Sequence, residues 1–424
     1  MKKCILVLTG LTVFTLTTVA QWDTLTSFNQ VIHDLALHQN NLFIGGNFYE
    51  RDGNTCFWST YFDGSQYHDQ TGSIGGSGII KMADFDGTLY AVGFMEHSGN
   101  MGVSKWNGST WESGAASNVS HHLIYADEDA IFIGGDNGIV RRKTTSTGFE
   151  TFYDFSQSGN ATCIMRYNGQ VIFGGVFTSL DGTTVNHIAS WNGSSWEALG
   201  DGLSGIASVM AVYKNELFVM GDFDFAGGEP VNGIARWNGS SWSDVGEGLT
   251  AFSFYGFKDA VVYNNELYVV GGFSEVDNVE SKDIIKWNGS EWIAVGLAHN
   301  EAYIKCIEVY NSQLYVGTYD FDLTHLYRYK GSSGIGEQSV LAFNLYPNPV
   351  DDQLNLQLQL NDVYNLEIEI TDLTGRMVLC KKIDGVKTID LGITCRNLPS
   401  GNYLLTVKNP DNGKSLLVKK VVVL

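Results

Sequence analysis

The chain has 424 residues, including 49 glycines and only 5 prolines, and 17% of its residues are charged. This composition is too apolar for a disordered chain and is typical of many short strands joined by glycine-containing turns. The net charge of −20 argues against nucleic acid as a partner, because phosphates require a basic surface. Residues 21–339 hold 37 acidic and 15 basic side chains, whereas residues 340–424 hold nine of each, which indicates a domain boundary between them.

The N-terminus has the pattern of a secretory signal peptide over residues 1–20. A basic start is followed by a short apolar run, and we predict cleavage between Ala20 and Gln21. No other segment reaches the length of a transmembrane helix, so we expect no transmembrane segment. We therefore expect a protein that passes through the periplasm to the cell surface or the medium. We also expect it to be a monomer.

A hairpin bounded by two tryptophans is repeated along the chain. The pattern Trp-Asn-Gly-x-x-Trp occurs at 106–111, 191–196, 237–242 and 287–292, and it holds eight of the ten tryptophans. Asn-Gly supplies the positive φ angles of a tight hairpin turn. The spacing places both rings on one face of the hairpin, whether the loop has two or four residues. We interpret these tryptophans as packing residues rather than as a platform for a sugar or a base.

A second pattern, an apolar run that ends in glycine in most copies, gives the repeat length. Taking positions 42, 89, 131, 171, 217, 267 and 314 as equivalent, the intervals are 47, 42, 40, 46, 50 and 47 residues. Each copy has four strand-like runs. Seven such copies predict an all-β fold with a seven-bladed β-propeller over residues 21–331.

The two ends of the repeat region complement each other. The seventh copy has no tryptophan-containing fourth strand, and residues 22–25 before the first copy match residues 196–199 in type and position. We predict that the N-terminal strand completes the last blade, which favours seven blades over six or eight and removes exposed strand edges. The third copy has no Trp-Asn-Gly at residues 141–155, so the sequence leaves its outer strands open.

The repeat also has a family resemblance. Gly-Gly-x-Phe at 174–177, followed by Ile-Ala-Ser-Trp-Asn-Gly at 188–193, resembles the kelch-like and Gly-Gly-x-Phe repeats of secreted bacterial propellers. This resemblance implies a fold and does not dictate one activity.

The tail has its own motifs. Alternating residues at 352–358 and an Asp-x-x-Gly turn at 372–375 predict a small immunoglobulin-like β-sandwich with six or seven short strands over residues 342–424, after a linker at 332–341. The segments 345–350, 370–376 and 398–407 resemble the type A C-terminal sorting domain of the type IX secretion system of Bacteroidota. The resemblance implies contact with that machinery, passage across the outer membrane, and release or surface attachment. An accessory domain without a sorting role is the alternative.

The sequence has no recognisable catalytic or metal-binding motif. The histidines do not cluster, and the patterns of sialidase turns, copper-oxidase propellers and the serine nucleophile elbow are missing. Cys163 and Cys306 occupy equivalent inner-strand positions and are predicted to be buried thiols, whereas Cys380 and Cys395 could pair within the tail. We expect no cofactor and no enzyme.

The topology of a four-stranded blade places short turns on one face and long loops on the other, where binding residues concentrate. The long loops are rich in carboxylates, so we predict an acidic loop face. Its candidate ligand-binding residues are Asp52, Asp181, Asp201, Asp222, Asp224, Glu229, Glu247 and Asp277. Such a face could bind cationic groups, peptides or Ca²⁺, or it could simply be a solubilising surface.

Two functions follow from this sequence. The first is a secreted or cell-surface binding and adhesion protein with an unknown protein or glycan ligand. The alternative is an extracellular glycan- or peptide-degrading enzyme with carboxylates at the channel mouth of the loop face, which two carboxylates about 5–9 Å apart would favour. The first is preferred because no catalytic pair can be named.

Overall fold

A computed structural model describes residues 20–70, 75–97, 100–116, 120–251, 256–273, 275–276, 279–280, 283–295, 303–319, 324–332, 340–346, 350, 352–372, 376–396, 398–410 and 414–423. The predicted signal peptide before Ala20, most of the linker and Asp277 lie outside these residues. Regular structure within the described residues consists of strands only, so the chain is all-β. It forms two compact units: Trp22–Lys330, and a second that contains Gly331–Leu424.

The larger unit is a series of antiparallel sheets, numbered here in chain order. The first sheet has β2 (Ile32–His38), β3 (Asn41–Gly46), β6 (Ser59–Phe62) and β7 (Tyr67–Asp69), and its central connection holds β4 (Glu50–Arg51) and β5 (Asn54–Thr55). The second has β8 (Gly75–Phe85), β9 (Thr88–His97), β10 (Asn100–Trp106) and β11 (Trp111–Ala116). The third has β12 (His121–Ala126), β13 (Ala130–Gly135), β14 (Ile139–Thr144) and β15 (Glu150–Asp154), which assigns the outer strands that the sequence left open.

The next two sheets repeat this plan. The fourth has β16 (Ala161–Tyr167), β17 (Gln170–Gly175), β20 (Ile188–Trp191) and β21 (Trp196–Ala198), with the small hairpin β18 (Ser179–Leu180) and β19 (Thr183–Thr184). The fifth has β22 (Ile206–Tyr213), β23 (Glu216–Asp222), β26 (Ile234–Trp237) and β27 (Trp242–Asp244), with β24 (Phe225–Ala226) and β25 (Glu229–Pro230).

The last two sheets end the larger unit. The sixth has β29 (Gly256–Tyr263), β30 (Glu266–Gly272), β33 (Ile284–Trp287) and β34 (Trp292–Ala294), with β28 (Leu249–Ala251), β31 (Glu275–Val276) and β32 (Val279–Glu280) beside it. The seventh has β35 (Tyr303–Tyr310), β36 (Gln313–Tyr319), β37 (Thr324–Ser332) and the N-terminal strand β1 (Ala20–Phe28) as its outer strand.

The pairing of β1 with β37 joins the two ends of the larger unit, as the incomplete seventh copy predicts. Arg328 donates to Asp23 at 3.0 Å, and the rings of Trp22 and Tyr329 lie 4.9 Å apart. The inner strand of each sheet packs against the inner strands before and after it, and β35 packs against β2. These inner strands surround a central channel.

The Trp-Asn-Gly hairpins have four-residue loops, which resolves the two loop lengths that the sequence allowed. Trp191 lies directly opposite Trp196, with ring centroids 5.2 Å apart. Asn192 Oδ1 accepts from the backbone N–H groups of Ser194 and Ser195 at 2.9 and 3.0 Å, so the side chain closes the turn. The prediction of positive φ for both Asn and Gly is wrong here: only Gly193 has one, at 102°.

Positive φ pairs occur instead in the inner hairpins. Lys214 and Asn215, between β22 and β23, have φ of 50° and 63°, the geometry of a type I′ turn. Three tyrosines at the ends of inner strands each donate to a turn carbonyl of the following sheet: Tyr167 to Asn215 at 3.1 Å, Tyr213 to Asn265 at 2.9 Å and Tyr263 to Ser312 at 3.0 Å. The inner turns therefore fix the register between neighbouring sheets.

The outer tryptophans make a second series of contacts between sheets. Trp242 Nε1 donates to the carbonyl of Leu199 at 2.6 Å, and Trp292 Nε1 donates to that of Val245 at 3.0 Å. Trp196 is equally buried, but its Nε1 has no hydrogen-bond partner among the described residues. The sheet before Trp196, the third, has no Trp-Asn-Gly hairpin, whereas the sheets before Trp242 and Trp292 each have one.

This difference gives a prediction for stability. We expect Trp242→Phe to lower the free energy of unfolding by about 0.5–1.5 kcal/mol more than Trp196→Phe, because only the first substitution removes a buried hydrogen bond; the Leu199 carbonyl keeps the Gly202 N–H as a donor at 3.1 Å. Urea unfolding of the full chain measures both. Equal losses would show that the Nε1 hydrogen bonds do not contribute.

The smaller unit is one antiparallel sheet in the order β38 (Val340–Tyr346), β39 (Gln353–Asp372), β41 (Gly401–Asn409) and β42 (Lys414–Val423), with β40 (Met377–Thr394) also paired to β39. The expectation of six or seven short strands therefore differs from the five strands described. Register shifts near residues 359–366 let β39 and β40 bend and continue where separate strands were expected.

The smaller unit buries one face of this sheet. Leu354, Leu356, Ile368, Leu405 and Val421 belong to one cluster of buried side chains, so the sheet curls around its own core. A parallel bridge between Val350 and Val423 joins the segment after β38 to the edge strand β42. The apolar residues that alternate with polar ones over residues 352–358 lie on this buried face.

Candidate functional site

The sheet topology defines two faces of the larger unit. The turn face carries the short turns between each first and second strand and the Trp-Asn-Gly hairpins. The loop face carries the connections from each second to each third strand and the links from one sheet to the next. Small hairpins such as β4–β5, β18–β19 and β24–β25 lie in these connections, so the loops are ordered by backbone pairing.

The structure places the predicted carboxylates on the loop face but gives them different environments. Asp52 accepts from the hydroxyl of Thr26 at 2.5 Å and from the N–H of Ser27 at 2.9 Å, and Asp181 accepts from the Tyr153 hydroxyl at 2.9 Å. These two carboxylates hold loops in place. The described residues contain no group of three His, Cys, Asp or Glu side chains that could hold a metal ion.

The remaining predicted residues lie along three loops. Asp222 ends β23, Asp224 and Glu229 belong to the β24–β25 hairpin and its entry, and Asp201 and Glu247 lie in links between sheets. The backbone carbonyls of Asp201 and Glu247 accept from the side chains of Asn186 and Asn232 at 2.9 and 2.8 Å. Asp277 lies outside the described residues.

Of these residues, Asp201 lines a cavity of about 540 Å³ between the loops of the fourth and fifth sheets. We call it the loop-face pocket; it is lined by Asn186, His187, Asp201, Gly202, Leu203, Ser204, Phe225 and Gly228. Phe225 keeps 46% of its surface exposed, although it is a large apolar side chain. An exposed ring beside a carboxylate and an imidazole is a typical composition of a ligand pocket.

The wall of the loop-face pocket is held by hydrogen bonds. Ser204 Oγ accepts from the N–H groups of Asp224 and Phe225, both at 3.0 Å, and the Ser204 N–H donates to the Phe225 carbonyl at 2.9 Å. Gly227 N–H donates to the Gly202 carbonyl at 2.8 Å. The link after the fourth sheet and the hairpin of the fifth are therefore tied together, and the pocket is formed before any ligand arrives.

His187 contributes a defined tautomer to this pocket. Its Nδ1 lies 3.1 Å from the carbonyl of Gly175, and a carbonyl only accepts, so Nδ1 carries a proton. Nε2 is then the ring nitrogen that is left to interact with a ligand.

The central channel holds a second group of polar side chains, which the sequence did not reveal. Lys81 Nζ lies 2.9 Å from Asp34 and 4.0 Å from Asp259. The two carboxylates have the same role in their own sheets: Asp34 accepts from the N–H of Met82 at 2.7 Å, and Asp259 from that of Ile307 at 3.1 Å. Each therefore binds the inner strand of the following sheet.

Burial changes the protonation of this channel group. It raises the pKa of Asp34 to about 6 and that of Glu308 to about 7, with Lys81 opposing both shifts. Burial lowers the pKa of Lys81, but Asp34 and Asp259 outweigh it and hold that pKa above its ordinary range. Carboxyl groups with raised pKa values inside a cavity, here of about 280 Å³, are candidates for acid–base chemistry.

The raised pKa of Glu308 predicts a pH-dependent effect. Its carboxyl group binds a proton more tightly in the folded than in the unfolded chain, so its ionisation costs stability as pH rises from about 4.5 through about 7. We expect Glu308→Gln to stabilise the chain by roughly 1–3 kcal/mol at pH 8 and to have little effect at pH 4.5. Urea unfolding at both pH values measures this, and a pH-independent effect would contradict it.

The residues around the channel come from a feature that recurs in every sheet. Each inner strand has a register shift at the same position, and the extra residue is His33, Ile80, His122, Thr162, Ser208, Lys258 or Lys305 in turn. Such a β-bulge changes the direction in which the side chains of the strand point. A break in the alternation, with adjacent polar residues such as Lys258-Asp259, is the sequence signal that marks it.

The cysteines do not form a site. Cys56, Cys163 and Cys306 are buried free thiols, as predicted for the latter two. Burial raises the pKa of Cys163 to about 12, which makes that thiol unreactive. The possible pairing of Cys380 with Cys395 is wrong, because both are free and only Cys395 is buried.

The geometry describes an all-β protein of the β-propeller class with a separate C-terminal unit. Residues 344–424 match the family described as the secretion system C-terminal sorting domain. That match indicates export to the cell surface or the extracellular space, and it implies interaction with the secretion machinery. No helix in the described residues is long and apolar enough to span a membrane. A search of curated proteins found no match.

Solved structures similar to this chain include propellers. The WD40 β-propeller domain of Doa1 is 10% identical with a TM-score of 0.46, covering 73% of this chain and 97% of its own. A catalytically inactive virginiamycin B lyase from Staphylococcus aureus with quinupristin is 9% identical with a TM-score of 0.48, covering 72% and 98%. The computationally designed Ika8 protein is 13% identical with a TM-score of 0.43, covering 94% and 98%. With TM-scores below 0.5, these similarities carry no argument about function.

Proposed function

We propose that this protein is an exported, seven-bladed β-propeller of kelch-like repeats that binds a protein or glycan outside the cell, in the manner of an adhesion protein. In this proposal residues 21–331 form the propeller, a linker follows at 332–341, and an immunoglobulin-like type IX sorting domain at 342–424 directs export. Motifs of the type IX system suggest a source in the Bacteroidota.

The loop-face pocket carries the binding proposal. It combines the exposed ring of Phe225, the exposed carboxylate of Asp201 and the imidazole of His187 in a pre-formed cavity. An aromatic ring with a few polar groups around it suits a ligand that has one apolar face and several hydroxyl or amide groups. Both a glycan and a peptide have this character.

The test is a binding screen of the full chain against glycan and extracellular-matrix arrays, with and without Ca²⁺. Saturable binding that Phe225→Ala abolishes would support the proposal. Binding that survives Phe225→Ala and Asp201→Asn would place the ligand elsewhere, and a complete absence of binding would contradict the proposal. A requirement for Ca²⁺ would assign a metal to the acidic loops.

The second candidate is an extracellular enzyme, and the channel carboxyl groups favour it. Asp34 and Glu308 have pKa values raised to about 6 and 7 in one cavity, as an acid and a base require. The inter-sheet hydrogen bond of Asp34 is a structural reason for its burial, so binding remains the preferred proposal. Turnover of a bound glycan or peptide that Glu308→Gln abolishes would reverse this preference.

A further inference from the structure

A third cavity lies at the loop-face end of the channel, between the first and seventh sheets. Its volume is about 410 Å³, and we call it the channel-mouth cavity; it is lined by Asn29, Gln30, Val31, His33, Asn47, Lys305 and Tyr319. The described residues that line it include two basic side chains and no carboxylate. That is unusual in a region with 37 acidic and 15 basic residues.

Two of the extra residues of the inner-strand bulges supply the basic side chains. His33 is the bulge residue of β2 and Lys305 that of β35, which are neighbouring inner strands. Lys258 is the bulge residue of β29, the inner strand on the other side of β35. The same backbone irregularity thus brings three basic groups from three successive sheets to one end of the channel.

The charges at this end of the channel interact. Burial, together with the positive charge of Lys305, lowers the pKa of His33 to about 4. Burial and the neighbouring charge of Lys258 likewise lower the pKa of Lys305. Lys305 Nζ also lies 5.7 Å from the centre of the Tyr319 ring. His33 is therefore uncharged near neutral pH and offers a ring N–H, while the partly desolvated positive charge of Lys305 is stabilised by a bound anion.

We propose that the channel-mouth cavity binds an oxyanion, a carboxylate, sulfate or phosphate group, through Lys305 and His33, with Lys258 adding to the positive potential. This goes beyond the proposed function, because the loop-face pocket shares no residue with this cavity. Asn47 supports the assignment, since a rotated side-chain amide would present two further N–H donors.

The surrounding acidic loops restrict the kind of anion. Exposed charges are screened over about 8 Å at physiological salt, so they do not cancel a partly buried site. They do repel a long polyanion, whose many charges would pass over carboxylates such as Asp52 and Asp222. The ligand group is therefore a single oxyanion, free or on an otherwise neutral molecule.

Sodium sulfate, phosphate and acetate, added at constant ionic strength against chloride, are the probes. The ring proton signals of His33 in the NMR spectrum of the full chain report binding, with His33→Gln as the assignment variant. We expect saturable shifts, a rise in the pKa of His33 when the anion is bound, and tighter binding of sulfate, which stays fully charged, as pH falls from 7 towards 4. A sulfated polyanion should bind more weakly than free sulfate.

Three substitutions make the test specific. Lys305→Met should weaken binding by about tenfold or more, since a hydrogen bond to a charged group is lost, and Lys305→Arg should retain it. Lys105→Met is the control, because it removes one exposed lysine charge that pairs with Glu112 in the second sheet. If Lys305→Met does not fold, Lys258→Met tests the positive potential at this end of the channel and should also weaken binding.

Unsaturable shifts of the His33 signals, or equal losses from Lys305→Met and Lys105→Met, would overturn the anion site. Neither result affects the binding proposed at the loop-face pocket. If the chain binds nothing on the arrays but still binds sulfate, the ligand proposed for the loop-face pocket is contradicted and the anion site is retained.

Discussion

Removal of residues 21–28 should abolish the cooperative unfolding transition of the larger unit. The deletion takes away β1, which pairs with β37, and it exposes the full edge of the seventh sheet. It also removes the ion pair between Asp23 and Arg328 and the buried ring of Phe28. An uncovered edge strand recruits other chains, so we expect oligomers as well as lost stability.

The control is a chain that begins at Gln21 and keeps the strand, which should unfold cooperatively as a monomer. A synthetic peptide of residues 21–28 should restore the transition when added to the deleted chain, by supplying the missing strand. A deleted chain that stays monomeric with an unchanged unfolding midpoint would show that β1 does not close the larger unit.

The second large effect is expected for Lys81→Met. Asp34 is buried beside Lys81, and Asp259 lies on its other side, so the substitution leaves two carboxylates without their positive partner. Asp34 is buried but Lys81 is 33% exposed, so the cost should lie at the lower end of that for a buried pair, about 3 kcal/mol. Urea unfolding at pH 7.5 measures the loss.

The pH dependence identifies the cause. The pKa of Asp34 is already raised to about 6 by burial, and it rises further without Lys81. Asp34 becomes protonated at a higher pH in the variant than in the parent chain, so the deficit of Lys81→Met should shrink as pH falls from 7.5 towards about 6 and change little below that. Lys81→Met combined with Asp34→Asn should recover part of the loss, whereas Lys105→Met should cost less than about 1 kcal/mol. A deficit that does not change with pH would contradict this explanation.

Much of the fold could be predicted because the repeat makes each local pattern recur. The Trp pairs and the pairing of the N-terminal strand follow from the spacing of apolar residues and turn residues. These features can be predicted because each depends either on residues that are close in the chain or on a comparison between copies of the repeat. The conformation of the Trp-Asn-Gly turn was harder to predict, because Asn192 closes the turn through its side chain and only Gly193 has a positive φ.

The sites were less predictable, because they depend on which sheets face each other. Lys81 and Asp259 are 178 positions apart, and nothing local relates them before the inner strands are arranged around one channel. The bulges that bring His33 and Lys305 together each shift the register of a strand by one residue, which strict alternation cannot represent. The acidic loops were predictable, but their structural hydrogen bonds, such as that of Asp52, were not.

The most direct test of the binding account compares the two faces of the larger unit. The dissociation constant of the first array ligand is measured by calorimetry for the full chain, for Asp201→Asn in the loop-face pocket and for Asp86→Asn in an inner turn of the opposite face. Both variants remove one exposed carboxylate. We predict that Asp201→Asn weakens binding about tenfold and that Asp86→Asn leaves it unchanged. Equal effects of the two variants, or a loss with Asp86→Asn alone, would contradict a ligand site on the loop face.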